Sequence, residues 1–470
     1  MKNQNSIQLS RREMLKSVSS GFGYLALAGL CAEQAEAAEK SPLAPKAPHF
    51  AARAKRVIFL CMRGGPSHVD TFDHKPKLTT DTGQPGRSRN RFRGNVKLLG
   101  SPWEFKRHGQ NGLWISELFP HVAKHADKLC LLNGMHTDLP AHAQAFVKMH
   151  TGNSQFVRPS MGAWTLYGLG TENKNLPGFI TLAPQVGFGG AQNYGSAFLP
   201  AITQGTPVGG GRRSPTRRPG GSQEVMSNIS RKRLTRAGQR EQIDLLQRLN
   251  ENTIRRGADR DEVEAVIQSY ELAFSMQDTL PEVLDAGSID KRTTELYGLE
   301  NESTAEFGRQ CLMARQLAEN GVRFIEVTKG GWDHHRNLRE SMQGSCSSID
   351  KPIAGLLTDL AERGMLEDTL VLYGGEFGRT PDAQGTDGRD HNAKGFTMWM
   401  AGGGVKGGFE YGATDDYGAE AVDGKMHIHD WHATVLHLMG LDHEELTCQH
   451  AGRDFRLTDV HGIVPQEIIS

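Results

Sequence analysis

The 470-residue chain carries 54 Lys and Arg against 54 Asp and Glu, so its formal net charge is zero and composition gives no general affinity for nucleic acid. Its length admits one large α/β domain or two smaller ones. Basic residues crowd together only at Arg212-Arg213-Ser214-Pro215-Thr216-Arg217-Arg218, where the Gly and Pro content reads as a solvated loop.

In chain order, Ser10-Arg11-Arg12-Glu13-Met14-Leu15-Lys16 comes first, then a weakly apolar stretch from Val18 to Leu30, then Ala35-Glu36-Ala37. A twin arginine, a short apolar region and an Ala-x-Ala site describe a signal for the Tat export machinery over residues 1–37. The mature chain is then expected to start near Ala38, in the periplasm or outside the cell. The apolar region is too short and too rich in Gly and Ser to span a bilayer, so no stable membrane span is expected in the mature chain. Of six cysteines, Cys31 leaves with the signal. The odd remainder argues against a disulfide framework, and Cys61, Cys130 and Cys311, inside apolar runs, read as small core residues.

After a linker over 38–55, Arg56–Met62 reads as the first buried strand, ending in Arg63-Gly64-Gly65-Pro66-Ser67-His68-Val69-Asp70. Residues 77–112 are turn-rich, Ile115–His125 suggests a helix, and Leu129–Leu132 and Phe179–Leu182 suggest strands. Residues 183–224, with many Gly and Pro, suggest a long surface excursion. From Arg231 to Gln277 the pattern is helical; a helix carrying Phe307, Cys311, Ala314 and Ala318 follows and stops at Gly321 before a strand at Val322–Val327. A helix at Ile353–Arg363, strands at Leu370–Tyr373 and Phe396–Ala401, and a last helix opening at His427 complete the pattern. Strands alternating with helices predict a mostly parallel central sheet sandwiched by helices, in one α/β domain over 56–463.

Several His/Asp/Glu clusters lie just past strands, where open parallel sheets gather ligands. Asp333 and His335 follow Val322–Val327, Glu376 and Arg379 follow Leu370–Tyr373, and Asp390 and His391 come soon after. His68 and Asp70 follow the first strand. Imidazoles and carboxylates suit divalent metal ions such as Zn, Mn, Mg or Ca. His391 is the foremost ligand candidate, with Asp390 a ligand or a partner orienting it. Arg379 suits clamping an anionic oxygen or pairing with Glu376. His429 and His432, near the start of the last helix, read more simply as a polar first turn. No Gly-x-Ser-x-Gly elbow and no P-loop is present.

Together, Gly64-Gly65-Pro66-Ser67-His68-Val69-Asp70-Thr71-Phe72-Asp73, Met149-His150-Thr151-Gly152, Gly330-Gly331-Trp332-Asp333-His334-His335, Gly375-Glu376-Phe377-Gly378-Arg379-Thr380-Pro381, Gly388-Arg389-Asp390-His391 and Gly452-Arg453-Asp454-Phe455 resemble one family. It is the exported bacterial family catalogued as domain of unknown function 1501, abundant in planctomycetes. That family is placed near the alkaline phosphatase and sulfatase superfamily, so the resemblance implies that fold, with two metal positions at the strand ends. Asp333 with His335 resembles the superfamily's middle ligand pair, Glu376 stands where its late Asp would, and His391 resembles its final His. Arg63-Gly64-Gly65 stands where sulfatases carry acidic residues. His142 occupies the position of the Cys or Ser nucleophile, which excludes the formylglycine mechanism. His142 is then a histidine nucleophile, a metal ligand, or a mark of lost esterase activity. The expectation is an exported metal-dependent hydrolase of sulfate or phosphate esters, on a small molecule or a polysaccharide, with His142 and Arg379 in catalysis. The competing reading is a non-catalytic, metal-stabilised protein of the cell envelope.

Overall fold

In the Arg56–Arg63 strand (β1) six consecutive residues are buried, as in a central strand covered on both faces. Alternation sends Val57, Phe59 and Cys61 into one apolar core and Ile58, Leu60 and Met62 into the other. The computed structural model describes residues 43–86, 96–184, 187–209, 235–255, 260–283 and 289–470. The twin-arginine segment and the basic run at 212–218 lie outside the described residues.

Ten further strands are needed to place the site: Leu129–His136 (β2), Phe179–Leu182 (β3), Thr206–Val208 (β4), Phe324–Gly330 (β5), Thr369–Gly374 (β6), Gly378–Gln384 (β7), Gly388–Asn392 (β8), Phe396–Ala401 (β9), Phe409–Tyr411 (β10) and Met426–His427 (β11). The main sheet runs β10-β2-β9-β6-β1-β5-β3-β4, with β11 also paired to β2. Its pairs are parallel except those made by β9, which is antiparallel to both β2 and β6. The sheet is therefore mixed and mostly parallel, as the alternating pattern predicts.

Helices cover both faces. His142–Thr151 (α1), Met161–Leu169 (α2) and Ile428–Leu438, the last helix, supply Phe146, Met149, Trp164 and Trp431 to the core that holds Phe59 and Cys61. Glu302–Glu319 and Leu338–Glu362 supply Phe307, Leu317, Ile349 and Leu356 to the other.

Three local expectations need revision. Ile115–His125 is no helix: Leu113–Ser116 is a strand and Val122–Lys128 a 3-10 helix. Pro120 between them lacks an N–H and bars its predecessor from helical backbone. In the described part of 183–224, Thr206–Val208 extends the sheet edge beside β3. Flanking glycines such as Gly388 suggest a loop for Asp390 and His391, but both lie on β8 of a hairpin whose register sets His391 opposite Arg379.

Candidate metal centre

Each contributor sits just past the end of a main-sheet strand, on the hairpin that follows β6, or at the start of α1. Asp333 and His335 follow β5, Glu376 follows β6, Arg379 and His391 are on the β7–β8 hairpin, and His142 is the first residue of α1. The Gly64-Gly65 turn after β1 closes the site from below. Gly64 has φ 120°, and a Cβ there would meet the Asp333 and Trp332 amide nitrogens at 2.8 and 2.9 Å. Glycine therefore lets this turn lie against the Asp333 segment. Its amide donates to both Glu376 carboxylate oxygens at 3.1 Å.

Four ligand atoms, from His142, Asp333, His335 and His391, lie within 4.8 Å of one another. The second nitrogen of each ring fixes what the first offers. His142 Nδ1 donates to Glu376 Oε1 at 2.6 Å, His391 Nδ1 donates to the Pro140 carbonyl at 2.7 Å, and His335 Nδ1 donates to Gln384 Oε1. A carboxylate and a carbonyl only accept, so these contacts assign the proton to Nδ1 and leave the Nε2 lone pairs facing inward. Those nitrogens approach Asp333 Oδ1 at 3.1 Å from His142, 2.8 Å from His335 and 3.4 Å from His391. The His335 and His391 Nε2 atoms are 3.0 Å apart. Electron pairs thus converge on one point, and no ring in its neutral form provides a hydrogen to share.

This arrangement fits a divalent cation. Tetrahedral bonds of ~2.0–2.1 Å to nitrogen and oxygen place ligand atoms about 3.3 Å apart, close to the separations observed here. The contacts from Glu376, Gln384 and Pro140 behind the rings are of the kind that fix ligand tautomers in metal sites.

Arg379 closes the inner side. Its guanidinium donates to Asp333 Oδ1 at 2.6 Å, to the Gly65 carbonyl at 2.9 Å, to Trp332 and Arg389 carbonyls at 3.3 Å, and to the Gly64 carbonyl. The side chain is 1 % exposed, so it is spent on the protein's own oxygens and acts on Asp333, whereas the sequence suggested clamping an anionic oxygen or pairing with Glu376. Burial lifts the Asp333 carboxyl, but Arg379, and His142 in its protonated form, outweigh it and hold it below the usual carboxylate range. Burial, reinforced by Arg379, lowers the His391 pKa and favours the neutral ring a metal requires.

His68 and Asp70 are not in this group of four. His68 Nε2 donates to the Gly418 carbonyl at 2.8 Å, and Asp70 forms a fully buried double contact with Arg389 at 2.7 and 3.0 Å. Glu376 orients His142, and the Asp390 carboxylate accepts from the His391 amide at 2.9 Å. His429 and His432 each donate to a carbonyl near the end of α1, Gly152 and Met149, at 2.7 Å. Sequence reasoning did not single out Gln384, the Pro140 carbonyl or Phe188, and marked Arg63 only as standing where sulfatases carry acidic residues. Phe188 stacks on His142 with ring centroids 5.0 Å apart, and the Arg63 guanidinium lies 4.8 Å from the Phe188 centroid. Arg63 Nε is buried without a hydrogen-bond partner among the described residues. Its charge at the end of an apolar strand was the one signal the sequence offered.

Fold and site together define an α/β protein with a three-histidine, one-aspartate metal-type centre at the carboxyl ends of its parallel strands. The chain belongs to the family described as protein of unknown function (DUF1501), whose model matches residues 54–469. No curated protein matches the sequence. Among solved structures it is similar to Ps i-CgsB in complex with k-i-k-neocarrahexaose, at 10% identity and a TM-score of 0.38, over 82% of this chain and 72% of that one. Another is the lipoteichoic acid synthase LtaP from Listeria monocytogenes, at 10% identity and 0.38, over 88% and 78%. A third is the PsFucS1 sulfatase from Pseudoalteromonas sp., at 13% identity and 0.34, over 83% and 68%.

Proposed function

We propose that this protein is an exported, metal-dependent hydrolase of phosphate or sulfate esters, including esters carried on polysaccharides. The observation that supports it most is the convergence of three imidazole Nε2 atoms on Asp333 Oδ1, each ring oriented from behind. His142, Asp333, His335 and His391 would hold the ion, which supplies Lewis acidity toward an ester oxygen. Glu376, Gln384 and the Pro140 carbonyl keep the ring protons on Nδ1. Arg379 keeps Asp333 ionised and in place. The Asp333 side chain is 45% exposed and that of His335 30%, so this side of the centre is open to an incoming ester. Arg63, beside Phe188, is the cation suited to an anionic group. His142, with Nδ1 on Glu376 and Nε2 toward Asp333, suits ligation better than nucleophilic attack. Export rests on the Arg11-Arg12 signal and the Ala35-Glu36-Ala37 site.

Turnover of aryl phosphate and aryl sulfate esters by the metal-loaded mature protein tests this reading. His142→Ala should lower the rate by at least about 100-fold, the scale of losses when a metal's surroundings are damaged. If the loaded wild-type protein turns over neither ester, the non-catalytic envelope reading replaces this one.

A further inference from the structure

A second group of metal-ligand type lies beneath the first, wholly inside the protein. Cys61 on β1 and Glu326 on β5 point to the same sheet face from adjacent parallel strands, Phe59 being opposite Glu326 and Cys61 opposite Thr328. His150, eight residues after His142 on α1, reaches down to meet them. Their ligand atoms lie within 4.8 Å of one another, and Cys61, His150 and Glu326 are 0%, 3% and 3% exposed.

The hydrogen bonds again leave an electron pair facing inward. His150 Nδ1 donates to the Phe146 carbonyl at 2.7 Å, so the neutral ring turns its Nε2 lone pair toward Glu326 Oε1 at 3.3 Å and Cys61 Sγ at 3.9 Å. Thr328 Oγ1 donates to Glu326 Oε1 at 3.0 Å and steadies that carboxylate from the side. A tetrahedral zinc with ~2.0–2.1 Å bonds to nitrogen and oxygen and ~2.3 Å to sulfur sets the N···O edge near 3.3 Å and the N···S edge near 3.6 Å. Among the described residues, His150 is the one ion-pair partner of Glu326. Without an ion, Glu326 raises the His150 pKa against the opposing effect of burial, so the protonated ring offsets the buried carboxylate; a bound cation takes the place of that Nε2 proton, which leaves to solvent.

We propose that Cys61, His150 and Glu326 bind a Zn2+ ion at a second site, distinct from the His142 centre. Three protein ligands leave one tetrahedral position for water. Binding converts the Cys61 thiol to thiolate, its proton leaving to solvent, and joins β1, β5 and α1 through one ion. The site serves α1, whose first residue, His142, must be held in the outer centre. It stands without the hydrolase assignment.

The test is metal content and cobalt spectroscopy of the mature protein, produced with cobalt in the medium so that buried sites load during folding. The wild-type protein should contain two equivalents and show thiolate-to-cobalt charge-transfer absorption in the near ultraviolet. Cys61→Ser, close in size, should lose the band and one equivalent while keeping the equivalent that depends on His142. His142→Ala should keep the band. His150→Gln provides a second variant if Cys61→Ser fails to fold. No band in the wild-type protein, or a band that survives in Cys61→Ser, overturns the proposal.

Discussion

Glu376→Gln probes the outer centre without touching a ligand. In the wild-type protein both carboxylate oxygens accept from the Gly64 amide, and Oε1 also accepts from His142 Nδ1 at 2.6 Å. A carboxamide cannot satisfy all of these. With its NH2 toward His142, the ring must move its proton to Nε2, which removes the lone pair facing Asp333. With its oxygen toward His142, the NH2 opposes the Gly64 N–H, a donor against a donor in a site that is 1% exposed. Either way His142 is held less well in the ligating tautomer. Loss of such a contact lowers metal affinity by ~10–100-fold, or about 1.4–2.7 kcal/mol. Competition against a chromophoric chelator, scored on the equivalent that His142→Ala abolishes, measures it. Unchanged affinity in a folded Glu376→Gln protein would refute the tautomer argument.

Asp70→Ala breaks the fully buried contact with Arg389 and leaves that guanidinium uncompensated. It should destabilise the fold by about 3–5 kcal/mol in chemical denaturation with the metal affinity of the folded protein unchanged; a loss below ~1 kcal/mol would contradict the pairing. Burial pushes His125 and His427 down to about 4 from the ordinary histidine value, helped by Lys128 and Lys124 at His125 and, against Asp138, by His429 and Lys148 at His427. Unfolded chains protonate these rings near ~6.5, so the unfolded state binds more protons between about 6.5 and 4 and stability must fall as pH drops through that window. The slope is at most ~1.4 kcal/mol per pH unit per ring, less because both keep solvent contact. His125→Gln should flatten the curve, and an unchanged slope would rule out its contribution. For export, Arg11→Lys with Arg12→Lys should leave the precursor in the cytoplasm on fractionation; normal export of the double variant would overturn the Tat assignment.

The fold class and part of the candidate site were legible in the sequence because both depend on local pattern. Apolar runs such as Arg56–Met62 and Leu370–Tyr373 lie on strands β1 and β6, and the residues just past strand ends must sit along one rim of a parallel sheet. Asp333, His335 and Glu376 therefore announce themselves by position and type, and His391 by type alone. What the sequence could not decide is which partner each polar group takes across the chain. Asp70 and Arg389 are 319 residues apart yet pair so tightly that neither faces the centre. Arg379, read as an anion clamp or a partner of Glu376, turns inward to backbone carbonyls because the Gly64-Gly65 turn presents them there. The proton positions on His142, His335 and His391 depend on Glu376, Gln384 and Pro140, and no spacing rule links those residues to the rings. Cys61 reads as a small core residue, and nothing in the sequence joins it to His150 and Glu326 until packing α1 on β1 and β5 brings one atom of each within 4.8 Å of the others. Strand and helix periodicity follow from the local backbone, whereas ligand geometry is set by how distant segments pack.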